Sequence, residues 1–230
     1  MSTEPKMEQP PIDNDTLPSP PDAARPISPK SKGHFTGHLI VGDGGGRVLE
    51  VESHLEMTIA LILSMRPDVA DLENQVPFRW KCAQTSKWKT HFFDFRVNKL
   101  DGSRTAIIAK RSKKLACEEF RAESLEIARQ ITTDFADQVT IMTERDIDPV
   151  ELHNAAFLHG LREVDPEADS AARRFLARTV GAVPVRDIVA AVDLAGRGFR
   201  AVGRLVRNKE LELLRKERLA MDTLVMRRAA

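Results

Sequence analysis

The chain has 230 residues, 42% hydrophobic and 30% charged, with a formal net charge of +1. That is the mix of a soluble folded protein with room for one ordinary domain and a smaller one, rather than of a disordered or membrane chain. The longest apolar run, residues 59–63, is far too short to span a bilayer, and the first thirty residues lack the apolar centre of a secretory signal. The expectation is a cytoplasmic protein with no membrane partner. Cys82 and Cys117 form no CxxC pair, which leaves two free thiols rather than a disulfide framework or a zinc ribbon.

Taken along the chain, residues 1–33 carry eight prolines and no aromatic residue, and read as a disordered tail. Residues 35–41 and 47–51 flank Gly42-Asp43-Gly44-Gly45-Gly46. That run lacks both GxGxxG spacing and a following Lys-Ser/Thr, so it reads as a hairpin turn and not as a phosphate-binding loop. Ser53-His54-Leu55-Glu56 opens an apolar helix with a capping box, and the helix stops before Pro67. Val76, Phe78, Trp80 and Cys82 alternate with polar neighbours, as do Phe93, Phe95 and Val97, giving two strands. A third strand is expected over about 105–110, after a turn at Leu100-Asp101-Gly102-Ser103. Ala116, Phe120, Ile127, Ala128 and Ile131 share one helical face, residues 139–143 form a short strand, and Asp148-Pro149-Val150-Glu151 opens another helix.

After Asp165-Pro166 a linking helix is expected to run to about Val180 and stop at Gly181. Residues 185–192 and 199–206 then read as two short amphipathic helices at helix-turn-helix spacing. Residues 211–214 and 223–226 are expected to be the strands of a wing, although propensity alone favours a helix over 208–221. The domain reading is a tail over 1–33, a mixed α/β unit over 34–164 and a winged-helix-like C-terminal domain over 165–230.

Charge is segregated along this plan. Residues 79–114 hold 11 Lys and Arg against Asp94 and Asp101, a net +9, and residues 170–230 are net +8, with an acidic stretch between them. Two basic blocks suit two polyanion-facing surfaces, since counterion release rewards local charge. Glu56, Asp94 and Lys110 form the chemically informative set: acidic helix, acidic strand, turn, lysine strand. Phosphodiester hydrolysis needs carboxylates to hold a divalent cation and a positive charge beside the reacting oxygens. With Asp101-Gly102-Ser103 as the loop, Asp94 is expected opposite Lys110, Arg96 opposite Ile108, Phe95 opposite Ala109 and Val97 opposite Ile107, which separates a polar face from an apolar one. Structural roles stay open for each: Glu56 as a capping-box residue, Asp94 as a paired buried acid, Lys110 as the start of a solvated Lys/Arg run.

Ser53-x-Leu55-Glu56 on an apolar helix, Gln75-x-Pro77 before a strand, Asp94-Phe95-x-Val97, the strand ending in Lys110, and residues 142–150 together resemble the TnsA family, the endonuclease subunits of heteromeric cut-and-paste transposases. The resemblance covers roughly 35–162 and, more weakly, the C-terminal domain. It implies an α/β fold with a restriction-endonuclease-like mixed sheet core flanked by helices, plus the small winged-helix-like domain. It also implies a Mg2+-dependent endonuclease, tolerant of Mn2+, with Glu56, Asp94 and Lys110 catalytic and Glu56, Asp94 and the Ala109 carbonyl on the metal. Such a subunit nicks the 5′ ends of a transposon, with double-stranded transposon-end DNA, a TnsB-like transposase and a TnsC-like ATPase regulator as partners. One departure stands out: where the superfamily has Glu or Gln two residues before the lysine, this chain has Ile108, with no oxygen to offer. Glu118 or Glu119 is a candidate migrated ligand, and the alternative reading is a catalytically degenerate DNA-binding or scaffold subunit of the same type of complex.

Lys87, Lys89, Arg96, Arg111, Lys113 and Lys114 are the expected DNA contacts of the first unit. In the second, Arg200, Arg204 and Arg207 are expected to meet DNA phosphates or partner carboxylates. No Asn, Gln, Ser or Thr lies between Gly198 and Arg207, which argues against sequence reading by that helix. The spacings of His34/His38 and His153/His159 make no zinc site. Trp80, Trp88 and Phe92 read as core and rim of the sheet, with stacking on unpaired bases as the alternative.

Overall fold

The computed structural model describes residues 17–23 and 35–228. Most of the expected tail lies outside them. Within it, Ser19 makes a parallel bridge to Arg47, accepting from Val48 N–H at 2.9 Å.

Strands β1 (Gly37–Val41) and β2 (Arg47–Val51) form the expected antiparallel hairpin. Its glycines are turn residues: Gly46 has φ +67°, and a Cβ there would meet the Val41 carbonyl oxygen at 2.4 Å. Helix α1 (His54–Met65) follows, capped by Ser53, whose hydroxyl accepts from Glu56 N–H. Strands β3 (Val69–Lys81), β4 (Trp88–Lys99) and β5 (Arg104–Ala109) form a meander. A 3-10 turn (Ser112–Ala116) and helix α2 (Glu118–Ala128) then cross over to β6 (Gln138–Met142), which pairs parallel to β5. The sheet order is β3-β4-β5-β6, a mixed α/β arrangement. A second 3-10 turn (Glu144–Asp146) leads to α3 (Pro149–His159), capped by Asp148 with proline in its first turn.

Helices α4 (Pro166–Leu176), α5 (Val185–Val192) and α6 (Gly196–Arg207) follow, with strands β7 (Val183–Pro184), β8 (Leu211–Leu213) and β9 (Leu224–Arg227) in a small sheet of order β7-β9-β8. Residues 208–221 contain β8 and turns, not the helix that propensity favours; Leu211 and Leu219 are buried against α6 and its neighbours, and tertiary packing overrides the local preference. Helix α4 stops at Leu176, four residues short of the expected end, and Gly181 takes its left-handed φ in the loop beyond.

Three apolar clusters result. Leu55, Ile59, Leu63, Phe95, Val97, Ile107 and Ala109 pack between α1 and one sheet face. Trp80, Phe93, Ala106, Ile108 and Ile127 pack between α2 and the other. The third gathers α4, α5, α6, β8 and β9, and takes in Leu158 and Phe157 from α3. Close approach of α3 to α6 is enforced at Gly203, where a Cβ would come within 2.4 Å of Leu161 and 2.9 Å of Phe157.

The β4–β5 register corrects the expected one. Phe95 pairs with Ile107, Arg96 with Ala106, Val97 with Thr105 and Asn98 with Arg104, two residues displaced from the expected pairing. The loop is Leu100-Asp101-Gly102, closed by Lys99 N–H to Ser103 O at 2.9 Å, with Gly102 at φ +84°. A three-residue hairpin loop wants a left-handed residue in its last position, and glycine supplies it. Because the shift is even, every side chain keeps its face. Strand β3 also begins at Val69, earlier than its apolar alternation indicates, because Asp71, Glu73 and Asn74 interrupt that pattern.

The β3–β4 ribbon changes face midway. Leu72 belongs to the α1-side core and Trp80 to the α2-side core, although both have even numbers; Phe95 and Phe93 divide the same way. The change falls at Gln75, which has φ +50°, across from Asp94.

Candidate active site

Asp94 stands at this face change, flanked by the fully buried Phe93 and Phe95, and is itself 8% exposed. Its Oδ2 accepts from Ala109 N–H at 2.8 Å and lies 3.5 Å from Lys110 Nζ. Lys110 is the first residue past β5, its backbone N–H donating to Met142 O at 3.0 Å. The lysine therefore reaches Asp94 from the strand end rather than from the ladder position opposite it. Glu56 approaches from the first turn of α1, 6% exposed, with Oε1 accepting from Ser53 Oγ–H and Oε2 from Glu52 N–H, both at 2.8 Å. The capping box thus reaches one residue further back than the usual pattern.

Electrostatics tie the three together. Burial pushes the Asp94 carboxyl above its ordinary range, opposed by Lys110 and the Ala109 N–H. Burial also raises Glu56, and the like charge of Asp94 raises it further while Lys110 pulls it down. Two buried carboxylates, one raised further by the charge of the other, beside one lysine form a place where a cation would be favoured.

Among the described residues, no group of three or more His, Cys, Asp or Glu gathers as a metal cluster. Glu118 and Glu119, the candidate migrated ligands, are both exposed on α2, and Glu118 pairs with Arg121 at 3.9 Å. Ile108 is 1% exposed in the α2-side core. The ligands at hand are Glu56 and Asp94; the backbone group of Ala109 that meets Asp94 is its N–H, not the carbonyl expected on the metal. The two carboxylates fit a cation such as Mg2+, which keeps several waters and uses one or two carboxylates.

His91 is a neighbour that the sequence does not single out. It lies edge-on to the Phe93 ring on β4, and its Nε2 is buried with no hydrogen-bond partner among the described residues. Burial holds its pKa below the ordinary value, with Asp94 opposing and Lys110 reinforcing that shift. Only its place in the strand of Asp94 could have flagged it.

The expected DNA contacts divide. Lys87, Lys89, Arg111, Lys113 and Lys114 are exposed. Arg111, Lys113 and Lys114 follow Lys110 directly, on a turn pinned by Ser112 N–H to Glu144 at 2.9 Å; the bonds from Ser112 hold the Glu144 carboxyl down to about 2. Arg96 is a correction: its guanidinium makes two bonds to Glu73, at 2.6 and 2.9 Å, and covers the Phe135 ring, so the ribbon's own acid occupies it. In α6, Arg200 is exposed, but Arg204 and Arg207 are corrected. Arg204 is 4% exposed and bonded to the buried Asp169 at 2.8 Å, on the face with Ala201 and Leu205. Arg207 donates to Gly42 O at 3.2 Å and pairs with Asp43 at 3.4 Å, holding the β1–β2 loop.

A cleft of about 500 Å³ lies apart from these residues, between α1, α3, β8 and the segment after it. No described helix is long and apolar enough to cross a membrane. No family model matches the chain, and no curated protein matches it.

Proposed function

We propose that this chain is a Mg2+-dependent DNA endonuclease subunit of TnsA type, with a restriction-endonuclease-like core and a winged-helix-like C-terminal domain, nicking the 5′ ends of a transposon. The observation that carries the reading is the convergence of Asp94 and Lys110, 3.5 Å apart, with Glu56 from the first turn of α1, whose carboxyl is raised by burial and then by the charge of Asp94. The order of helices and strands after Asp165, with β8 and β9 as an antiparallel pair behind α6, supports the winged-helix assignment. The exposed Arg111, Lys113 and Lys114 adjoin the site and suit the flanking phosphates.

A divalent cation bound by Glu56 and Asp94 would neutralise phosphate charge and make a water more acidic. Lys110 supplies a positive charge beside the leaving or attacking oxygen. The Ala109 N–H fixes the Asp94 carboxylate in orientation, and Ser53 and the Glu52 N–H do the same for Glu56. The partners that the assignment carries are transposon-end duplex DNA, a TnsB-like transposase and a TnsC-like ATPase.

The reading is tested by nicking of supercoiled plasmid carrying transposon ends, with and without Mg2+ or Mn2+ and with and without the partner transposase. Metal-dependent nicking by the wild-type chain that disappears in Asp94→Ala is the expected result. One observation favours a second reading: with Ile108 in the core and no third His, Cys, Asp or Glu gathered with the two carboxylates among the described residues, the chain would be a DNA-binding or scaffold subunit without catalysis. Absence of metal-dependent nicking under all these conditions, with DNA binding retained, would establish that alternative.

A further inference from the structure

Beyond the Gln75/Asp94 face change, the α2 side of the β3–β4 ribbon is packed, with Lys89 lying over the buried Trp80 ring at 5.2 Å and paired to Glu123. The opposite side is open. Arg79, Lys81, Trp88 and Thr90 are all exposed there, with Arg79 beside Thr90 and Lys81 beside Trp88 in the register. Trp88 is 61% exposed, and the Arg79 guanidinium covers its ring at 5.5 Å. No Asp or Glu occurs from Arg79 to Lys89, while four Lys and Arg do. The tip is braced, not loose: Lys81 N–H donates to the Gln130 side chain at 2.9 Å, Gln130 returns a bond to Lys81 O, and Ala83 N–H donates to Glu126.

We infer that this ribbon tip is a second nucleic-acid site, which binds a DNA strand with unpaired bases through a base stacked on Trp88 and phosphates held by Arg79, Lys81 and Lys87. The inference rests on the DNA reading of the neighbouring site. Phosphate attraction needs only the cations; an indole kept in water on a rigid tip needs a flat apolar partner, and an unpaired base has one. Arg79 takes one ring face and leaves the other for the base, which gives a base between indole and solvent with a cation behind the indole. Six steps along the strand separate Trp88 from Asp94, about 20 Å at 3.3 Å per residue. A strand held at both points is separated from its complement well away from the cut.

The test uses the full-length chain in chelator, so that no cleavage enters, with fluorescently labelled oligothymidylate, a blunt duplex and a duplex ending in an unpaired flap. Trp88→Ala is expected to weaken oligothymidylate and flap binding by about tenfold, the loss of one stacked base, with blunt-duplex binding unchanged and Trp88→Phe close to wild type. Indole emission should fall on oligothymidylate addition in the wild-type chain. Unchanged oligothymidylate affinity in Trp88→Ala, or an equal loss on the blunt duplex, would overturn the inference. Plasmid nicking by the same wild-type preparation in Mg2+ reports separately on the nuclease assignment: nicking without stacking removes only the tip site, and stacking without nicking removes only the nuclease.

Discussion

At Asp94 the protein carries a charge that its surroundings disfavour. The folded-state values of Asp94 and Glu56 are both raised, so folding favours their protonated forms. Their stability contribution is complete below the ordinary carboxylate range, near pH 4, and is lost as pH rises through the raised values. Asp94→Asn keeps a carbonyl oxygen for the Ala109 N–H and removes the charge. It should abolish strand cleavage while raising the melting temperature at pH 7 by a few degrees, an advantage that shrinks toward pH 4. Thermal melts across that range check the sign; a variant less stable than wild type at pH 7 would mean that the Lys110 attraction outweighs burial. Millimolar Mg2+ should raise the melting temperature of the wild-type chain and leave Asp94→Asn unmoved, since ligand binding to the folded state alone is stabilising.

The elements following these residues carry the next set of consequences. Replacing Lys113 and Lys114 with Gln should weaken duplex binding and flatten its salt dependence by up to about two in log–log slope, one for each phosphate no longer neutralised. An unchanged slope, measured by anisotropy over a salt series, would show that this turn faces solvent. In α6, Arg204→Ala strands the buried Asp169 and should cost about 3–5 kcal/mol in urea unfolding, whereas Arg200→Ala should leave stability within about 0.5 kcal/mol. Equal effects would contradict the division of the two arginines. Both outcomes bear on how far the chain could be read beforehand. Ser53, Asp148 and Pro149 announce their helices, because caps act through local geometry that sequence spacing records. Strand alternation was legible for the same reason, except at Gln75, where the change of face puts Phe93 and Phe95 in different cores. The offset between β4 and β5 was not, because Asp101-Gly102 suits two three-residue loops and only the left-handed requirement at Gly102 chooses between them. The fates of Arg96, Arg204 and Arg207 were hidden as well: each is paired across more than twenty residues, and charge segregation counts cations without their partners. Glu56, Asp94 and Lys110 were named from order and spacing, but their meeting point at a kink in the ribbon belongs to the fold.

For the whole molecule, the expected boundary near Asp165 crosses a shared core, since Leu158 and Phe157 of α3 pack with α4–α6. A fragment beginning at 165 leaves that apolar surface of α6 uncovered, whereas one beginning at 149 brings its own cover. The 149–230 fragment should therefore unfold at higher urea than 165–230 and bind less of an apolar dye; the reverse order would place α3 outside that core. Ties across the junction are numerous: Asn154 Nδ2 donates to Glu217 O at 2.8 Å, Arg207 to Gly42 O at 3.2 Å, Lys209 Nζ to Val69 O at 2.7 Å, and Arg228 to Pro67 O at 3.2 Å. Glu163 and Val164 are exposed between them. Peptide continuity at that point is thus one tie among many, and a chain severed there by a protease should keep its two pieces together through gel filtration and release them only in denaturant.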